Sequence, residues 1–236
     1  HYQPRVDVRT RRMAGMEALV RWNDGGSLIP PSEFIPLAEE NGLIVPIGEW
    51  VLHTALNDLK RWLEADPALW MSVNLSARQF RLPDLESRIE EAVTAAGIPP
   101  EKLELEITES VAMSDVNRST AVMTALHKFG ISFSLDDFGT GYSSLYYLKR
   151  LPIQWLKIDQ SFVRDIKGPA GGQANAIVGT IIEMARSLDL GTIAEGCETE
   201  GQLKYLTERG ADYIQGYYFA KPLPAAELEK LIGKAF

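Results

Sequence analysis

Ile131-Ser132-Phe133-Ser134-Leu135-Asp136 alternates apolar and polar residues with a period of two, the repeat of a β-strand whose successive side chains face opposite sides. Ile131, Phe133 and Leu135 share one face, and Ser132, Ser134 and Asp136 share the other. The same division recurs at 103–108, where Leu103, Leu105 and Ile107 oppose Glu104, Glu106 and Thr108. At 71–76, Met71, Val73 and Leu75 oppose Ser72, Asn74 and Ser76. Further strand-like runs lie at 13–22, 155–158, 191–194 and 213–215. Between them apolar residues fall at helical spacing: Leu52, Ala55, Leu56, Leu59 and Leu63; Val122, Ala125, Leu126 and Phe129; Ile177, Ile181, Ala185 and Leu188. Strand–helix alternation of this kind implies a mostly parallel α/β sheet, open or closed. A length of 236 residues suits one large α/β barrel better than two ordinary domains.

The apolar strand faces are expected to pack under the helices, which sends the polar faces into a shared interior. Barrel interiors are ordinarily filled by bulky branched residues. Carboxylates at several strand ends repel one another unless protons or cations neutralise them, so this interior reads as a site. Parity adds further members: Glu17 shares a face with Arg21, Lys157 with Asp159, Gln215 ends the last short run, and Glu195 follows Ile193-Ala194. Barrel enzymes place their chemistry at the C-terminal ends of strands, where residues distant in sequence converge. Glu17, Asn74, Glu106, Asp136, Asp137 and Glu195 offer only oxygen donors, which match Mg²⁺ or Mn²⁺ rather than zinc. The adjacent Asp136 and Asp137 are suited to bridging or dividing between two ions ~3.5–4 Å apart, the spacing at which a water is activated and phosphodiester charge is stabilised.

Bulk properties narrow the classes. The hydrophobic fraction of 45% and charged fraction of 24% are those of a soluble globular domain. A net charge of -8 argues against a nucleic-acid polymer as partner, which calls for a basic stripe. No apolar run approaches a membrane span, and the single cysteine, Cys197, allows no intrachain disulfide, which fits a cytoplasmic setting. The abrupt start at His1 is read as a domain cut from a longer signalling protein, whose parent is free to be membrane-anchored. Residues 168–172, Gly-Pro-Ala-Gly-Gly, read as a flexible loop. His53 and His127 are read as ordinary helix residues, and Trp50, Trp62 and Trp70 as packing residues.

Seven stretches, in order along the chain, resemble the EAL-domain family: Glu17-Ala18-Leu19; Val73-Asn74-Leu75-Ser76; Leu105-Glu106-Ile107-Thr108-Glu109-Ser110; Asp136-Asp137-Phe138-Gly139-Thr140-Gly141-Tyr142-Ser143-Ser144; Leu156-Lys157-Ile158-Asp159; Ala194-Glu195-Gly196-Cys197-Glu198-Thr199; and Gln215-Gly216-Tyr217-Tyr218-Phe219. The resemblance covers nearly the whole chain, 1–236. It implies a modified TIM-like (β/α)₈ barrel that hydrolyses cyclic di-GMP to linear pGpG with two Mg²⁺ or Mn²⁺ ions. By that resemblance Glu17, Asn74, Glu106 and Asp136 hold one ion, and Asp136, Asp137 and Glu195 face the second. Lys157 orients the attacking water or stabilises phosphate charge, and Glu195 is the general base. Arg21 pairs with a substrate phosphate, while Gln3 and Gln215 are weaker candidates for substrate or water contacts.

The resemblance also gives Glu109 and the loop 138–144 a structural and regulatory role, the loop lying over the metal site and joining a homodimer interface. Gly139 and Gly141 permit the backbone angles of a tight, movable turn, and Glu198 is grouped with these structural positions. Signals from linked sensory or GGDEF-type domains are expected to act by shifting this loop and hence Asp136 and Asp137. Ca²⁺, with its looser coordination, is expected to fill the site and inhibit. Cys197 stands where the family usually has valine and is read as a small apolar filler. The alternative to an active enzyme is a catalytically silent cyclic di-GMP receptor, marked by losses at positions that are intact here.

Overall fold

The structure, a computed structural model, describes residues 1–139, 145–167 and 171–236. Ten strands follow in chain order: β1 Tyr2–Asp7, β2 Met13–Ala18, β3 Trp22–Asp24, β4 Ser27–Ile29, β5 Trp70–Asn74, β6 Leu103–Thr108, β7 Ser132–Phe138, β8 Trp155–Ile158, β9 Gly191–Ala194 and β10 Tyr213–Ile214. Eight close into a barrel in the order β1-β10-β9-β8-β7-β6-β5-β2, and β3 and β4 form a separate hairpin. β1 is antiparallel to both of its neighbours, and the other barrel pairs are parallel. The expected single, mostly parallel TIM-like barrel is therefore the observed fold.

Two strand boundaries differ from the sequence pattern. The run at 13–22 divides into β2 and β3, because the chain leaves the barrel after Ala18. β1 was absent from the strand-like runs: Pro4 interrupts it, and Gln3 and Arg5 supply polar side chains where a strand usually advertises branched ones. Arg5 and Val6 also carry a register shift against β2, which accommodates the irregular segment.

The strands bury their apolar faces under helices as the alternation requires. Met71, Val73, Leu103, Leu105, Ile107, Phe133 and Leu135 are all buried in one continuous core. The longest helix, Ile44–Ala65, buries Leu52, Ala55, Leu56, Leu59 and Trp62 along one stripe. Helix Val116–Phe129 buries Ser119, Val122, Met123 and Leu126, leaving Ala125 exposed. Helix Gln173–Ser187 buries Val178, Ile181, Ile182 and Ala185, with Ile177 on its outer side. In Ile44–Ala65 the expected stripe is the observed one, with Leu63 only partly buried beside Trp62; in the other two helices it is shifted from the sequence reading, since small and apolar residues flank the contact face. Trp62 and Trp70 pack as expected, but Trp50 does not: it is 61% exposed.

The N-terminal end of the barrel is closed by aromatic rings. Trp70 and Trp155 stack with centroids 6.4 Å apart, and Tyr213 meets both edge-on at 5.7 and 5.1 Å. Gly15 and Gly191 leave room for them, since a Cβ would lie 2.5 Å from the Trp70 ring and 2.0 Å from the Trp155 ring, respectively. Two residues further along β8 from Trp155 comes Lys157, and polar side chains fill the interior from there to the other end.

Candidate functional site

Each expected interior residue sits at or just beyond the C-terminal end of a parallel strand. Glu17 is the penultimate residue of β2, Asn74 ends β5, Glu106 and Asp136 lie on β6 and β7, and Lys157 lies on β8. Glu195 and Gln215 follow β9 and β10, each held by a backbone hydrogen bond: Glu195 N–H to the Ile158 carbonyl (3.1 Å) and Gln215 N–H to the Ala194 carbonyl (2.8 Å). Because β1 runs the other way, its beginning lies at this same end, with Gln3 opposite Glu17 in register.

Lys157 is the hub. Its ammonium, 1% exposed, donates to Glu106 and to Asp136 Oδ2 at 2.9 Å, pairs with Glu195 Oε1 at 2.7 Å, and lies 3.9 Å from Glu17 Oε2. Asn74 Nδ2 donates to Glu17 Oε1 at 2.7 Å. Gln215 Nε2 donates to Glu17 Oε2 at 2.6 Å and to Gln3 Oε1 at 3.0 Å, and Gln3 Nε2 donates to the Ala220 carbonyl at 3.2 Å. The two glutamines are thus engaged within the wall of the site. An open cleft of about 280 Å³ stands over this cluster, lined by Gln3, Glu17, Arg21, Asp136, Lys157 and Glu195 among others. Arg21 Nη1 is anchored on the Val20 carbonyl at 2.8 Å.

Burial and crowding divide the carboxyls. Burial pushes Glu106 up, but the Arg5 and Lys157 charges outweigh it and hold the group at about 2. Burial pushes Glu195 up to about 8, with Asp136 and Glu17 opposing the pull of Lys157. Glu17 and Glu104 are likewise raised, burial first and the Glu106 charge contributing to both. Lys157 stays charged: burial lowers it, yet Asp136, Glu106, Glu17 and Glu195 together raise it well above the ordinary lysine value. Glu106 is therefore drawn toward its ionised form and Glu195 toward its protonated one, two glutamates pushed in opposite directions within one site.

Among the described residues no three acidic, histidine or cysteine side chains stand ready-clustered to hold a metal ion. The carboxylates instead surround the Lys157 ammonium. Their chemistry nevertheless fits hard divalent cations: four carboxyls from four strands already gather around one positive charge, every donor is an oxygen, and the cleft reaches Glu17, Asp136 and Glu195, with Glu106 buried behind them.

Asp137 is exposed and adopts φ 56°, a left-handed angle rare outside glycine, beside a register shift between Leu135 and Phe138 against β8. Its N–H donates to Asp136 Oδ1 at 2.8 Å. This bulge breaks the strict alternation of β7 at Asp137, which does not line the cleft that Asp136 reaches. Glu109, 4% exposed, accepts from the Gly139 N–H through Oε2 at 3.3 Å, and Gly139 has φ 94°, as a turn glycine requires. Gly141 and the rest of the segment 140–144, like 168–170, lie outside the described residues. Glu198 lines the rim of the cleft, 3.9 Å from Arg164. Cys197 is fully buried, and burial pushes its thiol up to about 11, so it remains a neutral filler.

Sequence reasoning missed Arg5, which lies fully buried beneath the site, and Gln160, Arg164 and Tyr217, which also line the cleft. Arg5 shares strand parity with Gln3, the one signal that pointed to it. The other three follow the strands, where no periodicity marks an inward side chain.

The comparisons with known proteins agree with this fold. The EAL domain model matches residues 1–222. The chain is 43% identical over 233 residues to the signaling protein YkoW of Bacillus subtilis, covering 98% of this chain and 29% of that protein. It is 44% identical over 230 residues to the bifunctional diguanylate cyclase/cyclic di-GMP phosphodiesterase MucR of Pseudomonas aeruginosa, covering 97% and 33%. The chain thus spans about a third of the length of these curated relatives. The solved PaMucR phosphodiesterase in complex with c-di-GMP superimposes with a TM-score of 0.92 at 43% identity, covering 97% of this chain and 92% of that one. With the family model spanning nearly its full length and such relatives across the barrel, this chain belongs to the EAL domain family.

Proposed function

We propose that this chain is a metal-dependent phosphodiesterase that hydrolyses cyclic di-GMP to linear 5′-pGpG. The observation that carries the reading is the convergence of Glu17, Glu106, Asp136 and Glu195 on Lys157 at the C-terminal mouth of the barrel, beneath an open cleft. The structural likeness to a phosphodiesterase solved with c-di-GMP supplies the substrate.

Glu17, Asn74, Glu106 and Asp136 would hold one Mg²⁺ or Mn²⁺ ion, and Asp136, Asp137 and Glu195 a second. Such ions, when bound, activate water and stabilise charge developing on a phosphodiester. The product keeps its 5′-phosphate, so a water oxygen bonds to phosphorus and the P–O3′ bond breaks. Glu195 in its ionised form takes the proton from that water, and its elevated midpoint suits it to return the proton to the departing O3′. Lys157 keeps Glu106, Asp136 and Glu195 in place and offers its positive charge to the phosphate. Arg21 aims a planar fork of donors into the cleft, suited to the phosphodiester oxygens.

The two activities in the name of MucR, and the greater length of the relatives, support a parent protein in which sensory or GGDEF-type domains are linked to this one. A homodimer rests on the family resemblance. No helix among the described residues is long and apolar enough to cross a membrane.

The test is chromatography of cyclic di-GMP incubated with the chain and Mg²⁺ or Mn²⁺. Formation of pGpG is expected, with Ca²⁺ inhibiting. Cyclic di-GMP that binds yet stays intact under both metals would return the reading to a silent receptor.

A further inference from the structure

Arg5 has no place in the chemistry above, yet all three arms of its guanidinium donate to side chains beneath the site. Its guanidinium is fully buried and stands over the Trp70 ring at 5.1 Å, on the inner surface of the aromatic closure. Nε donates to Gln215 Oε1 at 2.8 Å, Nη1 to Glu104 Oε1 at 2.8 Å, and Nη2 to Glu106, with Glu17 Oε2 3.9 Å away.

We infer that Arg5 is a positioning residue that orients Glu106 directly, and Glu17 through Gln215, for cation binding; this rests on the phosphodiesterase reading. The geometry is specific. A side-chain amide has one acceptor end and one donor end. With Arg5 on its oxygen, Gln215 must turn its Nε2 toward Glu17 and Gln3, as observed at 2.6 and 3.0 Å. Without Arg5 the amide is free to turn over and set its oxygen against the Glu17 carboxylate. Glu106 is gripped from two sides, by Arg5 through one oxygen and by Lys157 through the other. If a cation displaces the ammonium, Arg5 still fixes that carboxylate. A lysine cannot replace it, because the three directions need a planar fork rather than one nitrogen. Glu104 is joined to the site through Arg5, whose counter-ion it is at 2.8 Å.

The experiment separates positioning from packing. Replacing both members of a buried ion pair by apolar residues often leaves stability unchanged, whereas removing one strands the other. Arg5→Met combined with Glu104→Met is therefore compared with wild type for thermal midpoint, for Mn²⁺ affinity measured calorimetrically without nucleotide, and for kcat and KM. The expected result is a chain that still folds, with a lowered midpoint because Glu106 and Gln215 each lose a partner, and Mn²⁺ binding weakened about 10–100-fold, the usual effect of losing a partner that orients a metal ligand. Glu104→Gln, which keeps an oxygen for Arg5, is expected to bind Mn²⁺ as wild type does, and Arg5→Lys is expected to weaken binding like the double variant.

Wild-type affinity and kcat in the double variant would overturn the inference and leave Arg5 a packing residue. Should that variant not fold, wild-type Mn²⁺ affinity in Arg5→Lys overturns it equally. A wild type that takes up no Mn²⁺ and cleaves no cyclic di-GMP overturns the functional reading and this inference together.

Discussion

The two ends of this barrel are built from the same strands and do opposite work. Trp155 and Lys157 stand two residues apart on β8, as do Tyr213 and Gln215 at the end of β10, and Trp70 begins the strand that Asn74 ends. At the N-terminal end, rings fill the interior and glycines make room for them. From the inner side of those rings up to the C-terminal end, two buried cations, Arg5 and Lys157, face Glu17, Glu104, Glu106, Asp136 and Glu195. Packing stabilises the first end. The second gathers more acid than its cations neutralise, so the folded chain either holds protons there or takes up metal. A single period-two pattern thus spans a structural layer and a chemical one, and burial alone does not tell them apart.

The sharpest way to break this contrast is at Glu195. Glu195→Gln is expected to lower kcat by about 10²–10⁴-fold, the usual worth of a general base, with the melting temperature retained. Unchanged pGpG production in that variant would remove Glu195 from the chemistry. The same residue sets a pH dependence. Its folded midpoint, about 8, lies above the ordinary 4.5, so the folded state holds the proton more tightly than the unfolded chain. That stabilisation is complete below 4.5 and is lost as pH rises through about 8. Melting of the metal-free chain is therefore expected at lower temperature toward alkaline pH, with a shallower slope in Glu195→Gln and with Mn²⁺ restoring stability most at high pH.

At the other end, Gly191→Val is expected to cost about 3 kcal/mol, or roughly 10 °C in melting temperature, because the new Cβ meets the Trp155 ring. Turnover per folded molecule should be retained, and a specific loss of kcat would erase the distinction between the two ends. Arg21→Ala is expected to raise KM about 10-fold, as loss of one charge-assisted hydrogen bond would, with little change in kcat. Steady-state kinetics showing the reverse split would place Arg21 in the transition state. Glu198→Ala should change stability by less than about 0.5 kcal/mol in a thermal melt, since its 3.9 Å contact with Arg164 is between exposed groups.

Much of the chemical end was legible in sequence. Parity placed Glu106, Asp136 and Lys157 on inward faces, and strand ends marked Glu17, Asn74, Glu195 and Gln215. The aromatic end was only half legible: Trp70 read as packing, but nothing local joined it to Trp155 and Tyr213. Trp50 read as packing too, and its exposure follows from where the helix Ile44–Ala65 turns its outer side. β1 escaped because Pro4 and two polar interior residues obscure its alternation. Arg5 escaped with it. The adjacency of Asp136 and Asp137 was legible, but the left-handed backbone at Asp137 was not.

The amino-acid sequence by itself determined which residues face inward, since a strand's alternation is local and needs no partner. It also determined that the donors are oxygens, and hence the class of cation they suit. Tertiary structure alone decided which inward residues meet. Arg5 and Glu104 pair across 99 positions, and Gln215 reaches Glu17 across 198. Those contacts depend on an antiparallel first strand, on the register of each neighbour and on closure of the barrel. These are long-range choices, made when the apolar faces pack together and not written in any one stretch of chain.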